Sequence, residues 1–175
     1  MTNRDGERTG QLSTVERTVQ QSLIERLTDD TAAGLGERAP TWAASVQQLK
    51  SALRRDLEWL LNTRRIAQPA PPDCDELTAS LYSYGLPDIA TIGRDVSEAR
   101  FRLAHEVEAA IALFEPRLSG ARVSFVEGAG SGDRRLHFVI EALLRMDPTP
   151  EHVVFDTTLD PTRGDFEVRA AGPER

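Results

Sequence analysis

Glu58, Glu106, Glu108, Glu115, Glu127 and Glu141 are the carboxylates that lie beside apolar sequence in this chain of 175 residues. Two such groups across a cleft would hydrolyse a glycosidic bond, provided an apolar pocket kept one of them protonated. The chain does not read that way. Glu58, Glu106 and Glu108 fall on solvated positions of helix-patterned segments. Glu115 is followed two residues later by Arg117, which favours its ionised form. No pair separates into acid and base. His105, His137 and His152 match no helical metal-ligand spacing; His137 and His152 would face each other across two strands, as a surface pair. No Ser, His and Asp share a nucleophile setting. Gly128-Ala129-Gly130-Ser131-Gly132 is not followed by a helix opening on Lys-Ser or Lys-Thr, so it reads as a hairpin loop rather than a phosphate cradle. Cys74 is alone, which excludes a disulfide within the chain and a multi-thiolate metal site. The expectation is no catalytic residue, no metal and no cofactor.

What remains is Glu115-Pro116-Arg117. Proline ends a helix-patterned run here, and the residue before it is pushed toward extended geometry. The two charges can simply pair with each other or a neighbouring loop. Alternatively, the rigid corner presents a carboxylate and a guanidinium to a partner.

Two long helices must position this corner. Val46, Leu49, Leu53, Leu57, Leu60 and Leu61 form one apolar stripe from about Thr41 to Asn62, with Gln47, Lys50, Arg54, Arg55 and Glu58 elsewhere on the wheel. Asn62, Arg64 and Arg65 suit its C-terminus, and Pro69, Pro71 and Pro72 prevent continuation. Val96, Ala99, Leu103, Val107, Ile111 and Phe114 form the second stripe, opened by Asp95-Val96-Ser97-Glu98, which resembles a capping box. Between them, residues 75–84 predict one short helix with Leu77, Leu81 and Tyr82 turned inward. Tyr84-Gly85-Leu86-Pro87-Asp88 reads as a turn.

The last third changes period from 3.6 to 2. Val123 and Phe125, then Leu136 to Leu144, then Val153 to Leu159, then Phe166 and Val168 alternate with polar residues. The connectors at residues 128–133, 147–150 and 160–165 are dense in turn formers. Three short connections predict an antiparallel four-strand meander. The fold class is therefore α+β: two main amphipathic helices plus a short one, packed on one face of the sheet.

The ends read differently. Residues 1–18 are a polar, flexible arm, and 171–175 a tail. Residues 19–40 hold a short segment with Val19, Leu23 and Leu27 on one narrow stripe beside Ile24. Such a segment is marginal alone and needs a surface to dock on. The main domain is expected over 41–170.

Net charge is −7, which argues against general nucleic-acid binding. Lys50 is the only lysine among 21 basic residues; arginine suits carboxylate recognition between proteins, but codon bias in a GC-rich genome accounts for the same excess and is the favoured reading. No signal core and no membrane-length apolar run is present, so the expected location is cytoplasmic.

Five motifs in order strengthen the second reading of the corner: Ser22-Leu23-Ile24-Glu25-Arg26-Leu27-Thr28-Asp29-Asp30, Asp56-Leu57-Glu58-Trp59-Leu60-Leu61-Asn62-Thr63-Arg64-Arg65, Ser83 to Asp88, Phe114 to Leu118, and Val154 to Leu159. Together they resemble the gene-25-like, "lysozyme-like" baseplate wedge family of contractile injection machines, in its TssE-like type VI secretion branch. The resemblance implies a fold like the sheath handshake domain and a structural role in the baseplate wedge, at the inner face of the cell envelope. It implies TssF and TssG as wedge partners, and templating of the TssB–TssC sheath. Glu115, Pro116 and Arg117, with Ser22, Leu23, Ile24, Arg26 and Leu27, are then the partner-binding residues. A peptidoglycan hydrolase and a stand-alone regulator of the same fold are the other readings.

Overall fold

Leu49, Leu53, Leu57, Leu60 and Leu61 recur at helical spacing and are all buried on helix α1, Trp42–Asn62. The computed structural model describes residues 41–88, 96–126 and 135–170. The expected arm, the docking segment Ser22–Asp30 with its partner-binding residues, Asp95 and the glycine-rich loop at 128–132 lie outside these. The chain divides into two compact units, Met1–Gln48 and Leu49–Arg175. Of the first, the structure describes only Thr41 and the opening turns of α1, where Thr41 Oγ1 accepts the Ala44 N–H at 3.3 Å.

Helix α1 stops at Asn62. Thr63 closes the last turn, donating from Oγ1 to the Trp59 carbonyl at 2.7 Å. Arg64 and Arg65 lie beyond that turn and pair with carboxylates instead of helix carbonyls: Arg65 with Glu106 at 3.2 Å, Arg64 with Asp88 at 3.7 Å.

The region expected as one helix is two separate turns, α2 (Asp75–Thr78) and a 3₁₀ turn (Leu81–Ser83). Ser80 breaks the run by accepting the Tyr82 N–H on its own hydroxyl at 3.2 Å. Side chains of this kind offer the backbone a bond that competes with the helix. Leu81 therefore points out, 82% exposed, rather than inward.

Helix α3, Val96–Phe114, buries Leu103, Val107, Ala110 and Ile111. The sheet follows as a meander in the order β1-β2-β3-β4, all antiparallel: β1 Leu118–Phe125, β2 Leu136–Leu144, β3 Glu151–Asp160 and β4 Asp165–Ala170. One face carries the core: Leu118, Phe138, Ile140, Ala142, Leu144, Val153, Phe155, Leu159, Phe166 and Val168 are buried. Phe125, Phe138 and Phe166 run across it, with ring centroids 5.6 and 6.2 Å apart. The opposite face carries Glu141, His152, Asp156, Glu167 and Arg169, all exposed.

Strand β1 begins earlier than its alternation suggests. Ser119 pairs with Leu143 but Arg122 pairs with Glu141, so β1 holds one extra residue. Gly120 supplies the positive φ of +64° at this bulge. His137 and His152 do not face each other. The register sets His137 against Thr158 and His152 against Leu143, because the β2–β3 turn places them toward opposite ends of the ladder.

Candidate functional site

The corner Glu115-Pro116-Arg117 joins α3 to β1. The Glu115 N–H still donates to the Ile111 carbonyl at 2.9 Å, completing the helix, and the Glu115 carbonyl accepts the Leu118 N–H at 3.1 Å. Between these bonds Pro116 stands exposed. The chain reverses into β1 there, and the Arg117 carbonyl accepts the Arg145 N–H at 2.7 Å just past β2.

Glu115 is not offered to solvent. The residue is 5% exposed, one of only three buried polar or charged residues among those described. Its carboxylate takes the side of the Arg117 guanidinium: Nε donates to Oε1 and Nη2 to Oε2. This two-bond fork is the strongest form of an arginine–carboxylate pair. Arg117 Nη2 also donates to Asp56 Oδ2 on α1 at 2.6 Å. Two carboxylates thus converge on one guanidinium. The Arg117 proton is held more tightly than in a free guanidinium, chiefly through the Glu115 bond, against the opposing effect of burial and with help from Asp56.

Tyr84 completes the cluster. Its ring meets Phe114 edge-on with centroids 5.1 Å apart. Burial raises its pKa above 10.0, and the negative charges of Asp56 and Glu115 raise it further. The adjoining Gly85 cannot be another residue. Its φ is +102°, and a Cβ there would lie 2.2 Å from the Thr63 carbonyl oxygen. That close approach lets Leu86 N–H reach Thr63 O at 2.9 Å and Arg65 N–H reach Leu86 O at 2.8 Å. The exit of α1 is thereby zipped to the Tyr84–Leu86 segment.

Three stretches far apart in sequence therefore meet at one place: Asp56 to Arg65, Ser83 to Asp88, and Phe114 to Leu118. Sequence reading singled out Glu115 and Arg117 but missed Asp56 and Tyr84 as members of the same cluster. Asp56 carried one usable signal, its place directly beside the buried Leu57 on the apolar stripe.

The other described glutamates of the set also have basic neighbours. Glu58 holds Arg54 at 3.0 Å and Glu106 holds Arg65 at 3.2 Å. Glu108 accepts the Val123 N–H at 2.9 Å and lies 3.4 Å from Arg122. These three are half-buried and bonded rather than plainly solvated. Glu141 is exposed, 4.0 Å from His152, and Glu127 lies outside the described residues. Each described glutamate of this set has a basic group beside it, the reverse of the apolar pocket that a proton-holding acid needs. Among the described residues no cluster of three or more His, Cys, Asp or Glu could hold a metal ion.

The family profile "Baseplate wedge protein gp25" matches residues 47–149, more than half of the chain. The chain belongs to the gp25 baseplate wedge family. No curated protein and no solved structure matches the chain. The matched stretch holds α1 from its second turn, the whole Asp56–Tyr84–Glu115–Arg117 cluster and strands β1 and β2. A gp25-type wedge protein is a structural part of a baseplate, and its working surfaces are those that touch other baseplate components. No helix among the described residues is long and apolar enough to cross a membrane.

Proposed function

We propose that this gp25-family chain is the TssE-type subunit of a type VI secretion baseplate, placed at the cytoplasmic, inner face of the cell envelope. It would join TssF and TssG in the wedge and template the first ring of the TssB–TssC sheath. In this reading the chain is a building block and not a hydrolase.

One observation carries the proposal. The corner is braced from inside and presents only its outer parts. Glu115 is buried as the base, Pro116 stands exposed, and the Arg117 side chain is 29% exposed. The Arg117 guanidinium is held through Nε by Glu115 and through Nη2 by Glu115 and Asp56. A guanidinium already fixed in place loses little freedom on binding, and charge-assisted donation to a partner carboxylate or carbonyl gains accordingly. The segment Ser22–Leu27, with Leu23, Ile24, Arg26 and Leu27, is proposed as a second contact with the wedge.

The test uses Arg117→Lys in cells with fluorescently labelled sheaths, alongside circular dichroism of the purified variant. Lysine keeps the charge between Glu115 and Asp56 but loses the fork. A folded variant with far fewer sheaths is the expected result. A normal sheath count would remove the corner from the templating role. Deletion of residues 1–33 is expected to weaken co-purification with TssF and TssG. Loss of turbidity when the pure chain meets peptidoglycan would instead favour the hydrolase reading.

A further inference from the structure

An antiparallel sheet leaves a row of unpaired backbone groups along each edge, and a bare row recruits another strand. On β4 the outward groups at Phe166 are not bare. The Phe166 N–H donates to Asn62 Oδ1 at 2.7 Å, and the Phe166 carbonyl accepts from Asn62 Nδ2 at 2.8 Å. A carboxamide has the donor and acceptor of a peptide unit. Asn62 therefore makes, at Phe166, the two bonds that a residue of an added antiparallel strand would make. Two residues on, the Val168 carbonyl accepts from Arg54 Nη1 at 3.1 Å. Arg54 is steadied there by Glu58 at 3.0 Å.

We propose that Asn62 and Arg54 close the β4 edge, and that what they exclude is β4 of a second copy of this chain. The sequence of β4 suits self-pairing. An antiparallel β4–β4 ladder about a twofold axis at Val168 sets Phe166 against Ala170 and Glu167 against Arg169, twice by symmetry. The groups that bond across such a ladder are those of Phe166, Val168 and Ala170, the set that faces away from β3. Opposite charges directly across a ladder stabilise the pair. In the closed state Glu167 and Arg169 instead satisfy each other within the strand, at 2.7 and 2.9 Å. The latch keeps a self-complementary edge from joining copies that belong at separate places in an assembly.

The 175-residue chain and its Arg54→Ala/Asn62→Ala variant are compared by sedimentation at several concentrations, with hydrogen exchange read at the Phe166 amide. The variant is expected to dimerise reversibly where the parent does not, with slower exchange at Phe166 as dimer forms. Adding Glu167→Arg sets like charges opposite and weakens the dimer by about tenfold, and adding Arg169→Glu to that restores it. If the double variant does not fold, Asn62→Ala alone carries the same comparison. A folded variant of unchanged mass, or association indifferent to the Glu167 and Arg169 charges, would overturn the proposal.

Discussion

Removing the Arg117 guanidinium should damage the fold far more than a surface charge would. Arg117→Ala leaves Glu115, whose side chain is 7% exposed, as a buried carboxylate with no cation. Stranding one member of a buried pair costs about 3–5 kcal/mol. The lower figure applies, because the Arg117 and Asp56 side chains are 29% and 25% exposed and Asp56 regains water when released. A loss of about 3 kcal/mol lowers the melting point by about 6–12 °C in a chain of this size. Asp56→Ala should cost only about 1 kcal/mol, since the Glu115 fork survives it. Glu115→Gln in the Arg117→Ala background then restores about 1 kcal/mol or more, because an uncharged amide replaces the stranded carboxylate. Thermal and urea unfolding by circular dichroism measure all four proteins. If Arg117→Ala costs less than about 0.5 kcal/mol, as surface substitutions do, or if the Gln change worsens it, the buried-pair account fails.

Tyr84 should titrate above a free tyrosine. A pKa raised in the folded state stabilises below pH 10.0 and is lost as pH rises through the folded value, so Tyr84→Phe should flatten the alkaline end of the stability curve; absorbance at 295 nm would show its upper step vanish. Gly85→Ala should cost about 3 kcal/mol or more, from left-handed strain plus collision with the Thr63 carbonyl, and appear as poor soluble yield or a much lower melting point. Asp160 caps the β3–β4 turn, and its carboxyl is held below the ordinary range mainly by the Thr162 N–H, with the Arg163 N–H assisting. Its contribution is present above the unfolded pKa and lost as pH falls through the folded one, so Asp160→Ala should reduce acid sensitivity in a pH series of melting points.

The elements were legible where burial follows a simple period. Leu49 to Leu61 and Leu103 to Ile111 lie on helix stripes, and β2 and β3 alternate throughout, so the helices and the meander could be read directly. The start of β1 was hidden by the bulge: Leu118 and Val123 share a face but stand five residues apart, an odd spacing that a two-residue period cannot produce. The short helix failed at Ser80, where a side-chain bond 2 residues long outcompeted the helical pattern. Asn62 was read as a helix stop, which it is, but its carboxamide serves a strand 104 residues away. Asp56 was marked only by its place beside Leu57, which does not name its partner. Nothing local marks which polar flank of a stripe will meet a guanidinium 61 residues on.

The pairing of Glu115 also bears on what the family's "lysozyme-like" label can mean here. A glycosidase-type acid sits in an apolar pocket, away from fixed cations. Glu115 has two bonds to a guanidinium that is itself shared with Asp56. The fork suits Glu115 as a brace. A buried ion group contributes little net stability relative to an apolar core, yet it punishes every arrangement that separates its members. Here the members come from α1 and from the α3–β1 corner, so the cluster fixes one helix relative to the turn that carries Pro116. In the proposed role, with the corner as a partner contact, that intolerance matters more than an additional increment of stability.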